Sequence, residues 1–267
     1  MTFDELTEEL RPLRLNGACV IAHSSLSAFG DIDGGATTVC RALMEAVSGA
    51  GTLLMPTFTY AETLPGVAQG RPIAFHPDLP VSREIGAIAE AFRRMPGVVR
   101  SGHPTHSFAA WGRRTREILS TQRDNNLLGP LKKLNLMQGD VLLLGTSLHS
   151  ATVLHLAEEL SAAPYLERRT AARINASGHE ERVVLEKVPG CSLAFDRLEQ
   201  ALDPSRFLST ALAGGHARRV PVRYLLGIGT AALDRQPDAF LCGRAECDSC
   251  RRKELALAVR VTGGSVG

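Results

Sequence analysis

Three short aliphatic runs, each followed by small polar residues or a turn and then by a new element, constrain this chain more than any other feature. Ala18-Cys19-Val20-Ile21-Ala22, Thr52-Leu53-Leu54-Met55 and Val141-Leu142-Leu143-Leu144 are too short for helices and too continuous for half-exposed strands, so they read as buried strands. The first leads through a Ser- and Gly-rich loop, His23 to Gly30, into a helical pattern over 36–48. Gly49-Ala50-Gly51 ends that helix before the second run, and Pro56 stops the run itself. The third run, part of a strand over 140–145, precedes a Ser/Thr loop and a helix over 153–160. Strand, loop, helix is the order of a βα unit, and a parallel sheet with right-handed crossovers accommodates it most simply. The expected fold class is α/β: a single three-layer α/β/α domain over 1–267, with a largely parallel central sheet and a long loop on the substrate side.

That loop is read between Phe58 and Ser82, where Pro65, Pro72, Pro77 and Pro80 interrupt a stretch with little apolar periodicity. Loops of this length inside compact domains are usually functional. Ser82 is expected to cap a helix running through Arg94, closed by Pro96-Gly97. A helix over 2–13, strand pieces at 98–99 and 107–111, a helix over 114–121, a hairpin over 173–185 turning at Ser177-Gly178 and a helix over 195–201 complete the reading.

Charge narrows the partners. With 30 Lys and Arg against 28 Asp and Glu, nothing argues for nucleic acid or an anionic membrane surface, and a small polar ligand is the default partner. No apolar run approaches the roughly 18 to 20 residues of a membrane span. The acidic, amphipathic start MTFDELTEELRPLR is unlike a secretory signal, so a cytoplasmic location with reduced thiols is expected.

The strongest chemical signal is Thr152-x-x-His155-x-x-Glu158 just after the third strand. Residues three apart share a helix face, and an imidazole held by a carboxylate has its tautomer fixed and its basicity raised, as a general base requires. The same spacing also occurs on ordinary amphipathic surface helices. A zinc peptidase of the H-x-x-E-H type is disfavoured because Glu159 stands where the second His ligand belongs. Arg100-Ser101-Gly-His103-Pro-Thr-His106-Ser107-Phe108 reads as an anion- or substrate-binding turn, or as a polar turn that satisfies its own backbone. The loop His23 to Gly30 lacks both the dinucleotide and the phosphate-loop glycine patterns. A nucleophile elbow is disfavoured because the one G-x-S-x-G match, Gly263 to Gly267, ends the sequence with no helix to follow. Arg223-Tyr-Leu-Leu-Gly227-Ile-Gly229 is one residue too long for a GNAT pyrophosphate loop. Cys242, Cys247 and Cys250 form half of a zinc knuckle, with Cys191 or His216 as a fourth ligand, or else they are reduced thiols in a C-terminal loop.

Four ordered blocks, AHSSLSAFGDIDGGATTV, GTLLMPTFTY, IGAIAEAFRRMPGVVRSGHPTHSFAAWG and VLLLGTSLHSATVLHLAE, resemble the aminoglycoside 3-N-acetyltransferase family, which is unrelated to GNAT enzymes. The resemblance implies acetyl transfer from acetyl-coenzyme A, as cosubstrate, to the 3-amino group of a 2-deoxystreptamine aminoglycoside. It assigns His155 as general base, Glu158 as its orienter and Thr152 as a contact to the thioester or its tetrahedral intermediate, with no covalent acyl-enzyme. It lays the coenzyme along Ser24, Ser25, Leu26 and Ser27 and along Arg100, Ser101, His106, Ser107 and Phe108. The substrate side falls around Tyr60, Glu62, His76 and Asp78, flanked by Glu84; family members often carry F-D-P where this chain has Phe75-His76-Pro77. Two other readings stand beside it: an acetyltransferase for a non-antibiotic amine, and a coenzyme A- or zinc-binding protein without turnover. A monomer and a homodimer are both compatible with the sequence.

Overall fold

The computed structural model describes residues 1–59 and 73–263. Helix α1 (Phe3–Leu10) opens with a capping box, in which the Thr2 hydroxyl accepts from Glu5 N at 3.3 Å and Thr2 N donates to the Glu5 carboxylate at 2.7 Å. β1 (Cys19–Ser24), α2 (Gly35–Val47) and β2 (Thr52–Pro56) form the first strand–helix–strand unit. α3 (Ala87–Phe92), β3 (Val99–Arg100), β4 (Phe108–Gly112), α4 (Thr115–Leu119) and α5 (Gly129–Leu136) lead to β5 (Asp140–Leu144) and α6 (Val153–Leu160). β6 (Glu167–Ile174) and β7 (Glu180–Val188) make a separate hairpin, followed by β8 (Leu208–Leu212), β9 (Gly215–Pro221), α7 (Val222–Arg235) and α8 (Asp248–Gly263).

The seven-stranded sheet has the order β3-β4-β2-β1-β5-β9-β8. β1 pairs parallel with both β2 and β5, whereas β4 and β9 run antiparallel to their neighbours on either side. Five of the seven strands therefore point the same way, which is the largely parallel sheet that the sequence implied, with β4 and β9 reversed.

Alternation along the strands sorts the core into two layers. Ile21, Leu54, Val141 and Leu143 face a cluster built with α5, α6 and α7, while Val20, Ala22, Leu53, Met55, Leu142 and Leu144 face the opposite cluster built with α1, α2 and α3. The chain thus leaves β1 toward one face and the adjacent β5 toward the other. That divergence opens a crevice at the carboxyl ends of the two strands, where ligands bind in doubly wound folds. Gly145, just past the end of β5, lets the chain turn there: its φ is +65°, and a Cβ would stand 1.8 Å from the Cβ of Ala28.

Three expectations change. Ser82 is buried and makes no side-chain cap; the run to Arg94 splits into a 3₁₀ turn over Arg83–Ile85 and α3, because Gly86, at φ +95°, breaks it. The hairpin is longer than read, and its turn is tied by the Asn175 carboxamide oxygen, which accepts from the amides of Ser177 and His179. The 195–201 segment is 3₁₀ rather than α. β8, β9, α5 and α8 had no local signal strong enough to read. Among the described residues, no helix is long and apolar enough to cross a membrane.

Candidate active site

A cavity of about 600 Å³ opens in the crevice. Its lining comes from the end of β1 (Ala22, His23, Ser24), the end of β2 and the segment after it (Pro56, Phe58), the β5–α6 loop and first turn (His149, Ser150, Thr152, His155) and the hairpin (Arg169, Thr170, Leu185, Val188), among others. The hairpin is held over the cavity by the described part of the long loop. Phe75 N donates to Ala172 O at 2.8 Å, and Ile174 N donates to Phe75 O at 2.7 Å.

His155 reaches the cavity from α6, and its Nδ1 lies 2.6 Å from Glu158 Oε2. α6 can hold this pair because six of its eight residues are buried, so the helix cannot rotate without exposing Val153, Leu154 and Leu156. The imidazole packs edge-on against Phe195 at 4.9 Å between centroids. Glu158 is fully buried, and its other oxygen accepts from Lys253 Nζ at 2.6 Å. Lys253, on α8, is itself 2% exposed and lies 4.7 Å above the Tyr165 ring. Burial opposes charge on Glu158, but the His155 ring and the Lys253 ammonium together outweigh it and hold the carboxyl below its usual range. Burial and then the nearby Glu158 push the Tyr165 phenol up, keeping it neutral. A carboxylate that stays charged in an apolar setting can fix one imidazole nitrogen as a donor and leave the other as a base.

The other sequence candidates divide. Thr152 and His106 line the cavity together with His155, and so does Ser24. Ser25 and Ser27 bond to each other at 2.9 Å in the turn that follows, and Leu26 begins the 3₁₀ segment there. Arg100 does not line the cavity. Its guanidinium is engaged by Thr57 O at 2.7 Å, Pro77 O at 2.9 Å, Leu79 O and Ser107 Oγ, and it stacks over Phe75 at 5.0 Å. Ser101 bridges Gln122 and Phe108 N, Ser107 donates to Thr57 O at 2.6 Å, and Phe108 is a core residue. His76 and Asp78 are paired loosely at 4.0 Å, with Asp78 96% exposed, and neither lines the cavity. Tyr60 and Glu62 lie outside the described residues.

The loop and the turn that the sequence singled out contribute imidazoles whose burial no local pattern shows. His23 is buried and its pKa is lowered to about 3, first by desolvation and then by His149. His103, in the turn that leads to His106, is lowered to about 4, mainly by burial, and its Nδ1 accepts from His106 N at 3.1 Å. His106 is likewise held well below its usual range, mainly by burial and then by His103. Neutral imidazoles thus back a cavity whose described lining carries one carboxylate, Glu84, and one arginine, Arg169. The Arg223 to Gly229 stretch lies in α7, away from the cavity. Cys191 joins Cys242, Cys247 and Cys250, with all four sulfurs within 4.8 Å of one another; His216, on β9, is not part of that group.

These features match known proteins. The family model for aminoglycoside 3-N-acetyltransferase matches residues 21–234. The chain belongs to the aminoglycoside 3-N-acetyltransferase family. It is 37% identical over 175 residues to the SPbeta prophage-derived aminoglycoside N(3')-acetyltransferase-like protein YokD of Bacillus subtilis, covering 59% of this chain and 64% of that one. It is also 37% identical over 180 residues to aminoglycoside N(3)-acetyltransferase VII of Streptomyces paromomycinus, covering 61% and 62%. These alignments span just under two thirds of those relatives. The fold superposes with a TM-score of 0.79 on a histidine-to-alanine variant of the acetyltransferase AAC(3)-IVa in complex with a gentamicin, at 27% identity over 94% of this chain and 97% of that one.

Proposed function

We propose that this protein, acting as one domain, transfers the acetyl group of acetyl-coenzyme A to an amine of an aminoglycoside, in the manner of its family, with the 3-amino group of the deoxystreptamine ring as the acceptor. The observation that carries the reading is the His155–Glu158 pair at the cavity wall, 2.6 Å apart, with Glu158 kept ionised by the His155 ring and the Lys253 ammonium together. Nδ1 is engaged by Glu158, so Nε2 is the nitrogen available to the acceptor. The amine nitrogen attacks the thioester carbonyl carbon as its proton passes to Nε2. The tetrahedral oxyanion then collapses, the C–S bond breaks, and the departing thiolate takes the proton held on His155 Nε2, which returns the imidazole to its neutral form. Products are the N-acetyl amine and free coenzyme thiol, and no covalent acyl-enzyme is needed because the amine is itself the nucleophile.

Thr152, one turn before His155 on the same wall, contacts the thioester or its intermediate in this scheme. The coenzyme's reactive end lies between Ser24 and His106. The remaining residues of the Ser24–Ser27 turn and of the Arg100–Phe108 block shape that channel from behind.

The test is thiol release from acetyl-coenzyme A across a panel of aminoglycosides, with mass spectrometry of the product and His155→Ala as the control. Turnover that depends on both substrates and disappears in the variant supports the proposal. Binding of the coenzyme without turnover on any amine would favour a non-catalytic coenzyme-binding protein.

One observation favours a second acceptor class. A polycation is best held by several carboxylates, and the described cavity wall offers only Glu84, opposed by Arg169. A less charged amine, such as an amino sugar with a single amine, fits that wall better, and the same panel extended to such amines distinguishes the two.

A further inference from the structure

Helix α8 is bound to the protein by little apolar surface. Of residues 248–259 only Cys250 and Lys253 are buried, while Leu255 and Val259 stand 68% and 70% exposed. Surface helices are normally held by an apolar stripe, and isolated helices of this length are marginal in water. Yet α8 must be placed well enough for Lys253 to meet Glu158 at 2.6 Å.

Its first turn meets the four-cysteine cluster. Cys250 on α8, Cys247 just before it and Cys242 upstream converge on Cys191, which follows the hairpin, and all four thiols are free of disulfides. Zinc–sulfur bonds of about 2.3 Å in a tetrahedron put the sulfurs about 3.8 Å apart, so the observed spacing suits one ion with little adjustment. Backbone amides already point at the sulfurs, Leu193 N to Cys191 Sγ at 3.5 Å and Cys242 N to Cys250 Sγ at 3.3 Å, as in the outer shell of thiolate sites. The approach of the two segments is itself built in: a Cβ at Gly190 would stand 2.0 Å from Ser249 Oγ, the atom that accepts from Cys191 N.

We propose that Cys191, Cys242, Cys247 and Cys250 bind one structural zinc ion, and that this ion pins the start of α8 so that Lys253, three residues beyond Cys250, reaches Glu158. Binding Zn²⁺ releases the four thiol protons and leaves no open coordination position, so the ion is a cross-link and takes no part in the chemistry. Lys253 is accordingly a positioning residue that acts through Glu158. The metal assignment stands apart from the acetyl-transfer reading; only the consequence for Glu158 rests on it.

The test begins with the intact protein, purified without chelator or added metal and analysed for metals by plasma mass spectrometry. One zinc per chain is expected, released stoichiometrically when a mercurial reagent titrates the thiols. Stoichiometric iron, a native disulfide among the four cysteines, or zinc below about a tenth of an equivalent would overturn the site. Cys247→Ser and Cys191→Ser should each lose the zinc. Because ligand loss can also cost folding, refilling the chelated wild-type protein with Co²⁺ gives a second readout, in which the intense visible bands of tetrahedral thiolate cobalt are expected and their absence counts against the site. Hydrogen exchange reads the pinning: zinc removal should unprotect the α8 amides while β1 and β5 stay protected, and α8 protection that survives zinc removal would refute it. Lys253→Met should keep its zinc.

Discussion

Helices α6 and α8 meet at a single buried ion pair and are held in place by opposite means. α6 has eight residues, six of them buried, and its register is fixed by Val153, Leu154 and Leu156 packing under the sheet. α8 is twice as long and, over 248–259, buries only a thiol and an ammonium. One helix is placed by the hydrophobic effect and the other by polar and thiol tethers. The lesson is that the proposed catalytic base sits on a helix fixed by apolar packing, while the charge opposite Glu158 arrives on a helix that buries little apolar surface of its own.

The largest effect tests the side fixed by apolar packing. His155→Ala should lower the acetyl-transfer rate by about 10² to 10⁴, the usual worth of a general base, with the coenzyme still bound. Steady-state thiol release and isothermal titration check the two halves, and near-native turnover would end the assignment.

Next comes the contrast in packing. Leu154→Ala on α6 should cost about 2 to 5 kcal/mol of stability, whereas Leu255→Ala on α8 should fall within about 0.5 kcal/mol of the wild type. Denaturant melts of both variants decide it, and equal losses would mean that α8 is packed after all.

Lys253→Met probes the junction. Removing the ammonium withdraws one of the two partners that hold Glu158 ionised, so the carboxyl pKa should rise and the acidic limb of the pH–rate profile should move to higher pH. The rate at neutral pH should fall less than in His155→Ala. An unmoved limb would make Lys253 a structural plug only.

Acid stability gives a smaller signal. His23 and His103 are lowered to about 3 and about 4, so the folded protein binds fewer protons than the unfolded chain below about pH 6.5. The stability that they contribute is complete above that pH and falls as the pH drops toward 4. Glu158, with its lowered carboxyl, adds a loss at still lower pH. His103→Asn, which keeps an acceptor for His106 N, should flatten the slope between pH 6 and 4 by about one proton, as read from melts across that range.

The smallest effects concern the acceptor. Glu84→Gln should raise the acceptor KM, and added salt should raise it in the wild type but less in the variant, because screening weakens a charge that the variant lacks. Asp78→Asn and His76→Asp should change it little, since Asp78 is almost wholly in solvent and neither residue lines the cavity.

The central strands, α2, α6 and the His155–Glu158 pair were legible because each is written in a local pattern: a continuous aliphatic run, a 3.6-residue period or an i,i+3 spacing. The Arg100 block was legible as a motif, but its geometry was not: a guanidinium that looked free to meet a ligand is engaged by three backbone carbonyls and a serine from segments more than 20 residues away or across a turn. The three cysteines near the end of the chain suggested half a metal site, and nothing local could choose between Cys191 and His216.

What the sequence by itself determined is the set of elements that bury apolar side chains at short range, and with them the layered fold and the His155–Glu158 pair on its helix. Tertiary structure alone decided that Lys253, 95 residues beyond Glu158, completes the carboxylate's charge balance, that a distant fourth thiol closes the cysteine cluster, and that the imidazoles of His23, His103 and His106 are buried and neutral. The reason is physical: apolar burial is non-directional and shows in the period of a segment, whereas a buried charge or thiol takes its meaning from the one partner that the folded chain brings to it.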